Sequence, residues 1–266
     1  MSAKDSFVEL NDKVVLVTGA GRNIGRAIAL EMAQRGARVG VVDLDHESAE
    51  SVAAEIQSVG GHAYAYKIDV SNKEQVDASV DQVTEKFGRL DVMVNNAGIS
   101  YAIPFLEVTE SDWDRFHAIN TKGALFGTQA AARMMIDKGI EGRIINIASI
   151  NAKGGRPLLA PYGASKAAVI NLSQSAALAL APHKITVNCL CPGAVDTAMF
   201  DGYCNQLKDL AEAGRISEEQ THIPEAPLGL TVDPCDVARM AVFLAGEGGR
   251  YITGQAINID GGRTMH

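Results

Sequence analysis

The sequence predicts a single α/β domain of the doubly wound type, with seven parallel strands, and three observations carry that expectation. Short β-branched runs alternate with longer amphipathic segments along all 266 residues, the pattern of repeated right-handed βαβ units. Ala, Val, Ile and Gly are plentiful while aromatics make up only 5%, which suits helices packed closely on a sheet buried on both faces. The length and a hydrophobic content of 47% allow one large core. A chain of this size buries roughly 70–75% of its unfolded surface and needs no disulfide or metal staple.

Strands are expected at Lys13–Thr18, Arg38–Asp43, Ala63–Ile68, Asp91–Asn95, Arg143–Ala148, Lys184–Leu190 and Ala256–Ile259, each a short run bounded by turn residues. Helical spacing appears at Ile24–Arg35, Glu47–Val59, Lys73–Phe87, Asp112–Met135 and Ser165–Leu180. A further helix starts at Asp233, an N-cap residue followed by Pro234 in the first turn. The alternation breaks once, between Ala194 and Leu228. There Phe200, Tyr203, Leu207 and Leu210 could share one helical face, with Gly214 ending it. Connections this long are usually functional, and 194–228 is expected to be a short helical lid within the one domain.

Composition removes several function classes. A net charge of −8 disfavours nucleic acid and anionic membrane surfaces, both of which want a basic face. No apolar stretch reaches 18 residues, and Met1-Ser2-Ala3-Lys4-Asp5 lacks the charged-then-apolar pattern of a signal peptide. The four cysteines form no CxxC pair, and Cys189 and Cys191 lie in an apolar run as small hydrophobes. The six histidines show no metal-ligand spacing, so no metal is expected. A cytoplasmic protein acting on a small molecule is the expectation.

The first strand runs straight into Thr18-Gly19-Ala20-Gly21-Arg22-Asn23-Ile24-Gly25 and then a helix. Glycines there let the backbone approach a pyrophosphate, and the helix N-terminus faces it. The second strand ends on Asp43, 18 residues after Gly25, close to the ~20-residue offset at which an acid meets an adenosine ribose. A 2′-phosphate placed ~4 Å from that carboxylate would cost several kcal/mol at an effective dielectric of ~20. Arg22, in the phosphate turn, would return ~1 kcal/mol, and Leu44 adds no second cation. NAD is therefore the expected cofactor.

Tyr162-Gly163-Ala164-Ser165-Lys166 puts a phenol and an ammonium on one helix face. One positive charge ~4 Å from the phenol is worth ~4 kcal/mol, or ~3 pKa units. That would bring Tyr162 near 7, where general acid–base work is efficient. Ser149 closes the fifth strand, where a doubly wound sheet presents its ligand groups.

From Thr18 to Gly262 these motifs resemble the short-chain dehydrogenase/reductase family, with its TGxxxGxG turn, NNAG segment and YxxxK pair. Thr18, Gly19 and Gly25 match the turn, and Asn23 replaces its middle glycine. Asn is the residue other than Gly that best tolerates left-handed backbone. The resemblance implies a Rossmann-like fold and a catalytic set of Asn120, Ser149, Tyr162 and Lys166. In that set Ser149 steadies the substrate oxygen, and Asn120 holds a water that links Lys166 to solvent. It further implies cofactor contacts from Gly19, Arg22, Asn23, Ile24, Asp43, Leu44, Asp69, Val70, Asn96, Ala97, Gly98, Tyr162, Lys166, Pro192, Gly193, Val195 and Thr197.

Ser149, Asn151, Tyr162, Met199 and Phe200 are expected to meet the substrate, and Lys153, Arg156, Tyr101 and Tyr203 to lie near it. The reaction expected is reversible oxidation of a secondary alcohol in a polyol, sugar or small diol, closest to the polyol, sugar and diol dehydrogenases. An NADPH-linked 3-oxoacyl thioester reductase and a nucleotide-binding regulatory protein without turnover are the alternatives. Family members commonly pair the helix that follows Tyr162 across subunits, and its many alanines fit a homo-oligomer, a tetramer.

Overall fold

Seven runs rich in Val and Ile pair side by side, all in parallel, in the order β3-β2-β1-β4-β5-β6-β7. They are β1 (Val14–Thr18), β2 (Arg38–Asp43), β3 (His62–Lys67), β4 (Val92–Asn95), β5 (Arg143–Ile147), β6 (Thr186–Pro192) and β7 (Ala256–Ile259). The computed structural model describes residues 8–229 and 231–265. The doubly wound, Rossmann-like sheet expected from the sequence is the sheet observed. β1 is an interior strand, paired with β2 on one side and β4 on the other. The strand order turns there, and the crevice that opens at such a point is the usual ligand site of an open α/β sheet.

Side-chain alternation along β1 shows how both faces are filled. Val15 and Val17 pack with Ile28 and Met32 of α1 (Asn23–Gln34), Val52 and Ile56 of α2 (His46–Ser58), and Val237 and Val242 of the C-terminal helix Pro234–Ala245. Val14 and Leu16 face the other way, onto Val76, Val80 and Val83 of α3 (Lys73–Phe87) and Met135. A strand with both faces covered has to be apolar throughout, and all five β1 residues are buried.

Differences from the expected elements have local causes. The helix expected at Asp112–Met135 starts earlier, as α4 (Glu110–Phe116), because Thr109 and Asp112 form a capping box. It then widens into a π-helical turn at His117–Lys122 and resumes as α5 (Gly123–Asp137). α6 (Ala160–Leu180) begins five residues ahead of the expected start, with Pro161 in its first turn, where no N–H is needed. β6 starts later than expected because Lys184 takes left-handed backbone, φ 57°, at the end of a short helical turn.

The break in the alternation is helical: α7 (Ala198–Glu212) fills much of it, with Leu207 and Leu210 buried and Gly214 at φ 66° just beyond. α8 (Pro234–Ala245) starts where Asp233 accepts the Cys235 N–H, a cap worth ~1 kcal/mol. All four cysteines are free. Burial pushes the Cys189 thiol up to about 12, which fits a small hydrophobe.

Candidate functional site

A cavity of about 630 Å³ opens at the C-terminal ends of the strands and reaches from the turn after β1 to α7. Every residue named above for cofactor or substrate contact lines it.

At one end, the turn from Gly19 to Gly25 is shaped by close approach. Gly19 sits at φ 63°, and a Cβ there would lie 2.8 Å from the Ala97 Cα. Asn23 adopts φ 51°, the left-handed backbone that its substitution for glycine anticipated. Asn96 clamps the turn: its Nδ2 donates to the carbonyls of Thr18 (2.9 Å) and Gly19 (3.0 Å). The Thr18 hydroxyl accepts the N–H groups of Asn96 and Ala97, both at 3.1 Å. α1 has no side-chain cap and no acid in its first turn, and Asn23, Ile24 and Gly25 line the cavity. An uncapped helix start with glycine backbone around it fits a pyrophosphate.

The Asp43 carboxylate is held at the same end by two backbone donors, Gly21 N–H (2.9 Å) and Asp45 N–H (3.1 Å). It is 8% exposed, while the neighbouring Leu44 is 63% exposed and Arg22 is exposed. Asp69 accepts from the Ser71 N–H and hydroxyl. A fixed, cavity-facing carboxylate next to an uncapped helix start fits the ribose and pyrophosphate of a dinucleotide.

The acid–base groups meet at mid-cavity. Ser149 follows β5 and caps the next turn by accepting the Asn151 N–H at 3.1 Å; Tyr162 and Lys166 come from the first turns of α6. Lys166 is buried, and its Nζ donates to the Ile147 carbonyl at 2.7 Å. Burial moves that amine down to about 8. Enclosure pushes the Tyr162 phenol up, against the opposing pull of its hydrogen bond with Ser149.

The expectation that Lys166 alone brings Tyr162 near 7 is therefore corrected for the cofactor-free protein. The protein around both groups penalises charge, and burial is the largest influence on each. Asn120 stands behind the cavity wall, inside the π turn. Its Oδ1 accepts the Ile99 N–H (2.9 Å), and its Nδ2 donates to the Ile99 carbonyl (3.1 Å) and the Ser165 hydroxyl (3.0 Å). A Cβ on Gly98 would lie 3.1 Å from the Asn120 Oδ1 and 3.2 Å from the Lys166 Nζ, so the bare glycine keeps open the space beside both.

The remaining wall comes from α7 and its approaches. Thr197 caps α7 by accepting the Phe200 N–H at 3.3 Å, and Met199, Phe200 and Tyr203 line the cavity beside Asn151 and Arg156. Two residues expected near the substrate lie elsewhere. Lys153 donates to the Ala256 carbonyl and the Asn258 side chain. Tyr101 donates to Asp112 and packs its ring on Phe116. Ile150, Leu158, Leu159, His222 and Arg263 also line the cavity, and sequence reasoning missed them. The apolar trio near Tyr162 could have been found from its neighbourhood; Arg263 carried no signal, since β7 brings it in from the end of the chain.

Among the described residues no three His, Cys, Asp or Glu side chains gather to hold a metal ion, and no helix is long and apolar enough to cross a membrane.

A family model described as enoyl-(acyl carrier protein) reductase matches residues 19–264. The chain is 40% identical to a sorbitol dehydrogenase of Cereibacter sphaeroides, over 97% of this chain and 100% of that one. It is 39% identical to a galactitol 2-dehydrogenase of Agrobacterium fabrum over the same shares, 97% and 100%. Identity to a 3-oxoacyl-[acyl-carrier-protein] reductase of Thermotoga maritima is 37%, over 96% and 99%. Among solved structures, a 7α-hydroxysteroid dehydrogenase complexed with NADH and 7-oxo glycochenodeoxycholic acid superposes with a TM-score of 0.86, at 31% identity and 98% coverage of both chains.

Proposed function

The chain belongs to the short-chain dehydrogenase/reductase family, oxidoreductases that act on alcohol and ketone groups with a nicotinamide cofactor, and from that premise we propose that it oxidises a secondary alcohol of a polyol, sugar or small diol with NAD. The observation that carries the reading is the meeting of Ser149, Tyr162 and Lys166 in a cavity whose far end holds the Asp43 carboxylate.

NAD, when bound, supplies the hydride acceptor. Tyr162 takes the hydroxyl proton in oxidation and returns it in reduction. Ser149 holds the substrate oxygen beside the phenol and stabilises the developing alkoxide. Lys166 anchors the nicotinamide ribose and favours the phenolate, while Asn120, with its amide engaged by Ile99 and Ser165, positions the helix start that carries both. Enclosure keeps Tyr162 protonated around neutral pH in the free protein, so oxidation should accelerate and reduction slow as pH rises.

Asp43 accepts the ribose hydroxyls, and its charge opposes a 2′-phosphate. That choice separates this reading from the 3-oxoacyl thioester reductase reading, which relatives of similar identity keep open. Residues 194–228 act as a lid, with Met199, Phe200 and Tyr203 on its inner face. Leu178 is 80% exposed on α6, with Ala167, Ala179 and Ala181 also exposed; this surface supports a tetramer, which light scattering would measure. Four free cysteines agree with a cytoplasmic setting.

The test is a panel of polyols, sugars, diols and 3-hydroxyacyl esters with NAD and with NADP, scored by the absorbance of the reduced cofactor. Turnover of a polyol, sugar or diol with NAD is expected. Use of NADP as readily as NAD would overturn the Asp43 assignment, and turnover confined to 3-hydroxyacyl esters with NADP would favour the reductase.

A further inference from the structure

The substrate side of the cavity carries two cations that the reaction above does not use. Arg156, on the loop between Ser149 and Tyr162, and Arg263, just beyond β7, both line it. The Arg263 Nε is buried and has no hydrogen-bond partner. Among the described residues neither guanidinium is ion-paired. A chain with 32 acidic side chains and a net charge of −8 has ample means to neutralise both.

The acids at hand are occupied or distant. The Asp260 carboxylate, beside Arg263, accepts the N–H groups of Gly262 (3.1 Å) and Thr264 (2.8 Å) and so serves its own turn. Asp43 and Asp69 sit at the cofactor end, which leaves Glu219 as the acid on the α7 side of the lining among the described residues. Burial pushes Arg263 below its ordinary value, and the nearby Arg156 charge adds to that, against the opposing pull of the Asp260 carboxylate. Tyr203 of α7 is within the electrostatic reach of Arg156 and offers a phenolic donor.

We propose that the substrate carries an anionic group, a carboxylate or a phosphate, received by Arg156 and Arg263 with Tyr203 as a third donor. The inference rests on the dehydrogenase reading and narrows its substrate to an acidic polyol or a phosphorylated one. Guanidinium forks match planar carboxylates and phosphates with paired hydrogen bonds. An anion between them relieves their mutual repulsion. Because the three donors come from the loop before α6, from the chain end and from α7, the anion also ties the lid to the body of the protein.

The experiment compares C4–C6 alditols, the matching aldonates and the alditol terminal phosphates in wild type, Arg156→Gln and Arg263→Gln. Binding of the same compounds to the NADH-loaded protein is followed by calorimetry, so that affinity is read without turnover. An anionic member should exceed its matched alditol at least tenfold in kcat/KM, and whether aldonates or phosphates lead identifies the anion. Each substitution should shrink that preference at least fivefold, chiefly through KM, with a parallel loss in calorimetric affinity. Alditols preferred over both anions, or a preference that the substitutions leave intact, would overturn the proposal while leaving the dehydrogenase reading standing. No turnover of any member, with anion binding still lost in the arginine variants, would instead sink that reading and keep the anion site.

Discussion

At the cofactor end of the cavity, the turns after β1, β2 and β4 present groups fixed by backbone: an uncapped helix start, a carboxylate held by two N–H donors, and a turn clamped by Asn96. At the substrate end the walls come from α7, the loop before α6 and the residues after β7, and they meet only through the tertiary fold. The first end is a set of local motifs, each short enough to be read as a string. The second is an assembly of parts from distant stretches of chain, joined by side chains that carry most of its chemistry. Shared machinery resides in the first, and what distinguishes one family member from another resides in the second.

The largest expected effect falls between the two ends. Tyr162→Phe should lower kcat by ~10²–10⁴-fold, the usual worth of a general acid–base, while calorimetry finds NAD affinity nearly intact. Retention of more than about a tenth of wild-type kcat would remove Tyr162 from the chemistry. At the cofactor end, Asp43→Ser combined with Leu44→Arg should move the kcat/KM ratio of NADP to NAD by about two orders of magnitude, with substrate KM little changed. A shift that appears in substrate KM instead would mean that the two ends are not separable in this way.

Lys166 tests the boundary through stability. Its buried amine is moved down to about 8 from the ordinary lysine value of ~10.4, so between those values the unfolded chain binds more protons than the folded one. Wild-type stability should therefore climb as pH rises through that window, and the charged amine should cost stability below it. Lys166→Met should raise stability at pH 7 by about 1–2 kcal/mol while abolishing activity, the loss of its bond to the Ile147 carbonyl offsetting part of the gain. Scanning calorimetry at pH 7 and pH 10 checks both signs; a variant less stable than wild type at pH 7 contradicts the argument.

Smallest of all should be Asn23→Gly. The left-handed backbone becomes easier, and the unfolded chain gains freedom. The two effects nearly cancel, and denaturant unfolding should change by less than about 1 kcal/mol, with NAD affinity within threefold.

How much the sequence disclosed follows the same division. The glycine turn, Asp43 and the Tyr162/Lys166 pair were legible because each is a spacing on one turn or one helix face. The expected tuning of Tyr162 was incomplete because a pairwise charge argument leaves out the cost of enclosing both groups. Lys153 and Tyr101 looked equally available in the string, but packing gave them partners on β7 and α4. Arg263 could not be assigned before β7 was placed at the sheet edge, next to β6. The helix expected at Asp112–Met135 was visible by its periodicity, but not the π turn inside it, since each flank reads as helix on its own and the string does not show how wide the turn between them is.

That π turn has a consequence for how the helix tolerates changes in length. A π bulge amounts to one residue inserted into an α-helix, and it is kept where it supports function. Deleting a single residue within His117–Lys122 would let α4 and α5 run together as an unbroken α-helix, with α5 keeping its contacts to the sheet and α4 its contacts to α6. What would be lost is the aim of Asn120 at Ile99 and Ser165. The helix thus carries a spare residue whose removal the architecture can absorb and the active site cannot.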